Sequence, residues 1–218
     1  MIADDRIVIC GSANINDRSQ VGDHDSEIAV IIEDPTPVPS KMNGQPWPAS
    51  RFASSLRRHL TRKHLGLLPP QNYEQPEDDR FDFDSPESQI VADPLADTFH
   101  SIWNTRAHTN TGVYREVFHS VPDDTVRNWS TYKEFYGYYF KNADKQAFGE
   151  EMDGPPAAYK YGHVVSEKFP GPEGVARVKE LLSQVKGTLV EMPLMFLCEE
   201  DVAESGLTLN DLTEPLYT

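Results

Sequence analysis

Ser12 and Asn14 stand directly behind Gly11, and a second polar pair, Ser26-Glu27, follows downstream. A hydroxyl and a carboxamide at i and i+2 are short groups suited to gripping an oxyanion, and Gly11 lets the backbone turn without Cβ strain. Serine and asparagine behind a strand also serve simply to close a turn, so these residues alone leave both readings open. No nucleophile accompanies them in an obvious pattern. The seven histidines are His24, His59, His64, His100, His108, His119 and His163, and none is followed two residues later by lysine. None lies four residues from another, the spacing that puts two imidazoles on one helical turn, so no metal site and no cofactor is expected.

The elements that position this polar stretch come next. Ile7-Val8-Ile9-Cys10 and Ile28-Ala29-Val30-Ile31-Ile32 are continuous β-branched runs on either side of it. Such runs read as strands covered on both faces, which predicts neighbouring central strands of a layered α/β sheet. Prolines at 35, 37, 39, 46 and 48 argue for an exposed loop over 35–50. A helix over 51–65 follows, capped by Ser50, with Phe52, Leu56 and Leu60 as its apolar stripe. Its other face carries Arg51, Arg57, Arg58, Arg62 and Lys63, either as a solvated surface or as a binder of anionic headgroups.

Residues 69–92 read as an acidic loop, with seven acids against Arg80 between Glu74 and Glu87. Pro94 then opens a helix carrying Leu95, Phe99, Ile102 and Trp103, and a second helix with Val113 and Val117 is expected after a break at Thr111-Gly112. The aromatic residues from Trp129 to Phe140 serve as core packing or as a lipid-facing groove. Pro172 opens a last helix bearing Val175, Val178, Leu181, Leu182 and Val185, stopped by Gly187. Two short apolar pieces follow, 188–191 and 194–197, split by Pro193.

A chain of 218 residues, 38% hydrophobic, is long enough to bury a core, and its net charge of −15 argues against a nucleic-acid partner. Two cysteines, Cys10 and Cys198, make no disulfide framework and point to a reducing compartment. No apolar run reaches the ~18 residues a membrane span needs.

Taken with its flanks, the polar stretch carries a resemblance. The run GSANINDRS followed by DSEIAVIIED resembles the second catalytic motif of the eukaryotic phospholipase D family: H-x-K-x-x-x-x-D, a strand, G-S-x-N, then S-E and another strand. Asp4 takes the motif aspartate position, Ser12 and Asn14 match G-S-x-N, and Glu27 matches the glutamate set against a catalytic histidine. The motif's His and Lys would precede Met1. Similarity extends through 51–68, 93–123 and 174–201.

The resemblance implies an α/β fold with a mixed sheet flanked by helices, part of one phospholipase D lobe and incomplete at its N-terminal side. Residues 1–34 would be the remainder of the motif, and 93–218 the C-terminal helices and terminal strands of the same lobe. A sheet cut this way is expected to expose an unpaired edge at Ile7–Cys10. The implied reaction is hydrolysis of phosphatidylcholine, or another glycerophospholipid, to phosphatidate and choline through a phosphohistidine, with transfer to alcohols. The expected setting is cytoplasmic and peripheral to a membrane surface. Asp4, Ser12, Asn14 and Glu27 would then be a supporting shell, and this chain, with neither catalytic histidine, would need the absent N-terminal half to turn over. The alternative is a non-catalytic fragment that binds lipid or a partner.

Overall fold

The computed structural model describes residues 1–69, 74, 82–120, 123–137, 164–165 and 168–200. These fall into two compact units, 1–103 and 104–200.

The first unit begins with a short antiparallel sheet in the order β1-β2-β3, formed by Ile2–Ala3, Ile7–Gly11 and Ala29–Glu33. The two apolar runs do lie side by side, with Ile9 opposite Ile31 and Cys10 opposite Val30. They are not covered on both faces. Because successive residues of a strand point to opposite sides, Val8 is buried while Ile9 and Ile31 stay exposed, Ile31 by 66%. The expected open edge at Ile7–Cys10 is also closed. Ile7 and Val8 pair with β1, and the Met1 ammonium and carbonyl bond the Ile9 carbonyl (2.7 Å) and N–H (2.9 Å). Among the described residues the outer strands of this sheet are β1 and β3.

The proline-rich stretch is a hairpin rather than a loop. Strands β4 (Pro37–Met42) and β5 (Gln45–Ser50) pair antiparallel across a two-residue turn at Asn43-Gly44, whose φ angles are 50° and 75°. Asn-Gly is the strongest short hairpin signal because both residues accept positive φ. The prolines fit because they fall at every second position. The pairs Pro37↔Ser50, Pro39↔Pro48 and Lys41↔Pro46 alternate with Val38↔Ala49, Ser40↔Trp47 and Met42↔Gln45. Only every second pair of an antiparallel ladder exchanges N–H bonds, so residues without an N–H are tolerated in the pairs between.

Helix α2 (Arg51–Leu65) ends at Gly66 in the left-handed conformation, φ 70°. Ser50 occupies the cap position but its side chain makes no capping bond. Asp34 caps instead, one carboxylate oxygen accepting from the Phe52 N–H (2.8 Å) and the other from that of Thr36 (2.9 Å). The expected stripe is inverted. Phe52 and Leu60 are 41% and 38% exposed, and the buried side carries Ala53, Ser54, Arg58, Thr61 and Leu65. Arg57 and Arg58 therefore belong to the interior, and the fully basic solvent face does not exist.

Helix α3 (Pro86–Ile90) lies within the expected acidic loop, its Ser85 hydroxyl accepting from the Ser88 N–H with Pro86 in the first turn. The rest of that loop, 70–73 and 75–81, lies outside the described residues. Helix α4 (Asp97–Phe118) runs unbroken through Thr111-Gly112. Its inward residues Ala107, Asn110, Thr111, Val113 and Val117 are buried, and that packing outweighs the ~1 kcal/mol cost of one internal glycine.

In the second unit, Val113 and Val117 of α4 meet Val178 and Leu181 of α6 (Gly171–Leu182), with Phe118, Phe169, Leu182 and Val185 around them. Helix α6 ends before Gly187, and Val175 is exposed. The Asn110 carboxamide, fully buried, donates to the Lys186 and Leu189 carbonyls (2.9 and 2.8 Å) and accepts from the Lys186 N–H (3.1 Å). It ties the segment after α6 to α4. The aromatic cluster packs internally as far as it is described. Trp129 and Tyr132 of α5 (Trp129–Gly137) sit against Phe196 at 5.1 and 5.8 Å, and Phe135 stacks on His119 at 4.4 Å. Residues 194–197 are not a strand, because Met195–Glu199 forms the short helix α7, capped by the Asp124 carboxylate. Tyr138, Tyr139, Phe140, His163 and the tail from 201 lie outside the described residues.

The α/β class stands, with every described strand pair antiparallel. Among the described residues no helix is long and apolar enough to cross a membrane, and no His, Cys, Asp and Glu side chains cluster as a metal site.

Candidate active-site segment

Glu27 is the hub of the polar stretch. One of its carboxylate oxygens accepts from the Ser12 hydroxyl and the other from the Ser19 hydroxyl, at 2.6 Å in the second case. Ser12 is itself fixed by the backbone, its N–H donating to the Ile28 carbonyl (3.0 Å) and its Oγ accepting from the Ile28 N–H (3.1 Å). Ser19 is placed by the one-turn helix α1 (Asp17–Gln20), where Asn16 caps through Oδ1 to the Ser19 N–H. Arg18 and Asp25 then close the loop with two bonds of 3.0 Å.

Gly11 does a different job from the one its position suggests. It lies inside β2 opposite Ala29, and a Cβ there would meet the Ala29 Cβ at 2.6 Å. The missing side chain lets the two strands close tightly just below Ser12, which sets the Ser12-Glu27 contact.

The two hydroxyl bonds, Ser12 before Ser19, hold the Glu27 carboxyl below the ordinary glutamate range. Hydrogen bonds to the charged form favour it. Glu27 therefore stays ionised on mild acidification; its bonds are fully present above the ordinary glutamate pKa and are lost as pH falls through the lowered one. A carboxyl-carbon NMR titration is expected to give a midpoint below that of free glutamate, and Ser12→Ala should move it upward. An unmoved midpoint would show that the Ser12 hydroxyl does not act on Glu27.

The four residues singled out by sequence do not all meet. Ser12 and Glu27 are in contact, and the exposed Asn14 enters the same loop through its backbone, its N–H donating to Ser19 Oγ (3.1 Å) and its carbonyl accepting from Gln20 (2.9 Å). Asp4 is elsewhere, in the β1–β2 turn at the other end of a strand about 17 Å long. It has positive φ (52°), an exposed side chain, and a carbonyl that accepts from Trp47 Nε1 (2.8 Å).

The neighbouring aspartate does the structural work. Asp5 is buried and receives two bonds from Arg57, Nε at 2.6 Å and Nη2 at 2.7 Å. Arg57 also donates to the Val91 and Ala92 carbonyls at 2.8 and 2.9 Å. One guanidinium thus joins the β1–β2 turn, α2 and the end of α3. Sequence reading assigned no role to Asp5, Arg18, Ser19 or Asp25. The Asp4-Asp5-Arg6 run by itself carries no signal for this, because the partner of Asp5 lies 52 residues away.

A family model described as Phospholipase D matches residues 1–80. Phospholipase D zeta 1 of Arabidopsis thaliana is 36% identical over 206 residues, covering 93% of this chain and 16% of the plant protein. Phospholipase D1 of Homo sapiens is 34% identical over 206 residues, covering 94% and 15%. Phospholipase D C of Dictyostelium discoideum is 41% identical over 132 residues, covering 61% and 7%. The chain belongs to the phospholipase D family.

It spans about one sixth of the length of the first two of these relatives. Within this phospholipase D segment, the matched residues 1–80 contain both the Ser12-Ser19-Glu27 loop and the Asp5–Arg57 clamp. The loop presents a fixed carboxylate at the surface. The clamp fixes the turn from which the strand carrying that loop departs.

Proposed function

We propose that this chain supplies the supporting shell of a phospholipase D active centre acting on phosphatidylcholine or another glycerophospholipid, and does not turn over by itself. The observation that carries this reading is Glu27, gripped at both oxygens by Ser12 and Ser19 in a chain that contains no H-x-K sequence. Each carboxylate oxygen keeps a second lone pair, so Glu27 is ready to accept an imidazole N–H and fix that ring's tautomer and aim. The histidine it orients comes from protein outside these 218 residues, as does its partner.

In the reaction one imidazole attacks the phosphorus and forms a P–N bond as the P–O bond to choline breaks. The second imidazole gives its proton to the departing alkoxide. Water, or an alcohol, then displaces the imidazole and releases phosphatidate or its ester. Ser12 and Asn14 lie on the oxyanion side of this arrangement, and Asp5, clamped by Arg57, fixes the turn beside Asp4. The N-terminal half of the enzyme is the partner. The exposed Ile9 and Ile31 face and the outer position of β3 support a chain that packs against further protein. Action at a cytoplasmic membrane surface, with no nucleic acid bound, completes the proposal.

The test is choline release from phosphatidylcholine vesicles. The 218-residue chain alone is expected to stay at background, and addition of a segment carrying both H-x-K sequences should restore release. In the restored enzyme Glu27→Gln is expected to lower kcat about 10²-fold with little change in KM. Release by the lone chain that vanishes in Ser12→Ala would overturn the reading, because a histidine of this chain would then be the nucleophile.

A further inference from the structure

Arg58 is an interior guanidinium with too few partners. It is 3% exposed, and among the described residues its Nε has no hydrogen-bond partner and its one hydrogen bond runs from Nη2 to the Ser40 hydroxyl at a long 3.3 Å. The Phe83 ring lies 5.0 Å from the guanidinium carbon. Asp5, the nearby buried carboxylate, is taken by two bonds from Arg57. Among the described residues the carboxylate of Asp5 is thus bonded to Arg57, and Arg58 has no carboxylate of its own. A buried charge without a counter-ion is costly and persists where something supplies the opposite charge.

Arg58 lines a cavity of about 620 Å³ between the β4–β5 hairpin, α3 and the start of α4. Ser40 and Lys41 of β4 line it as well, Ser40 buried and Lys41 exposed. The two acids at its wall do not answer Arg58. Asp93 spends its carboxylate on the Asn43, Gly44 and Leu95 N–H groups, at 2.9, 2.6 and 3.0 Å, and Asp84 is exposed at the rim.

We propose that this cavity binds a phosphate group, with Arg58 as its anchor and Ser40 and Lys41 as further donors. A tetrahedral oxyanion uses three donors of this kind at once, and the planar guanidinium fork matches two of its oxygens. The group is carried either by a small soluble phosphate or by a phospholipid headgroup reaching the cavity mouth. The site is separate from the Ser12-Ser19-Glu27 loop, and the proposal does not depend on the catalytic reading.

Thermal unfolding of the full 218-residue chain with inorganic phosphate, against sodium chloride at equal ionic strength, tests the soluble arm. Co-sedimentation with phosphatidylcholine vesicles containing phosphatidate tests the lipid arm. The variant is Arg58→Met, which keeps the volume and removes the charge. At tenfold excess over Kd, phosphate is expected to raise Tm by about 3–6 °C, and Arg58→Met should abolish the rise while its own Tm without phosphate is unchanged or higher. Vesicle binding lost in Arg58→Met, without a response to free phosphate, assigns the group to a lipid headgroup. The proposal fails if neither probe acts on the natural chain, or if the responses persist in Arg58→Met. It fails also if that variant unfolds several degrees earlier without ligand, since Arg58 would then be a structural residue.

Discussion

Replacing Asp5 by asparagine is expected to destabilise the first unit by about 3–5 kcal/mol, the usual result of removing one partner from a buried ion pair. The pair is well enclosed, with side-chain exposures of 1% for Asp5 and 15% for Arg57. Asparagine is chosen because Asp5 has a φ of 52°, a conformation asparagine accepts, so the backbone is kept and the charge alone is lost. The effect is enlarged by Arg58. With Asp5 neutral, the part-buried Arg57 and the buried Arg58 would have no ionised carboxylate in contact among the described residues. Arg57→Met should also be severe, since it leaves Asp5 and the Val91 and Ala92 carbonyls without their donor. The double variant should lose less than the sum, with a coupling of about 0.5–3 kcal/mol. Exchange of the β2 and α2 backbone amides reports the stability of this unit by itself. A loss below about 1 kcal/mol would mean that the pair behaves as a solvated one.

The Ser12-Glu27 contact is legible in sequence because its residues are close along the chain. Ser12, Asn14 and Glu27 sit within one strand-loop-strand unit, and the apolar runs on either side gave the register that brings Ser12 to Glu27. Ser19 was present in the same motif but gained its role only from α1, a single turn too short to leave a periodic signal. The α2 face is hidden from sequence for a physical reason. Periodicity assigns leucine and phenylalanine inward, yet Arg57 and Arg58 have partners 18 to 52 residues away in Ser40 and Asp5. No window of one helical length contains that information. The hairpin hides for another reason: prolines break a strand only at ladder positions that must donate, and here they occupy the alternate positions on either side of Asn43-Gly44. In α4, the buried Asn110 and Val117 on either side of Gly112 outweigh one internal glycine.

Gly174→Ala provides the second large effect, with a sign opposite to the usual one. In an exposed helix interior, alanine in place of glycine stabilises by about 1 kcal/mol. Gly174 lies in the first turns of α6, buried, with its N–H on the Pro170 carbonyl at 3.2 Å. A Cβ built there would stand 2.1 Å from the Phe169 carbonyl carbon and 2.2 Å from its oxygen. Those are backbone atoms, so no rotamer change relieves the overlap, and the chain entering the helix must move. Phe169 packs on the core of Val113, Val117, Val178 and Leu181, and moving its backbone withdraws that ring. Overpacking of this kind costs about 3 kcal/mol, so the net change should be a loss even after the gain in helix propensity. Exchange of the α6 and α4 amides from Asn104 onward should speed up while that of β2 stays as it was, because the substitution falls in the second unit. A stabilised Gly174→Ala would mean that Phe169 does not approach the helix this closely, and the account of this core would have to be redrawn.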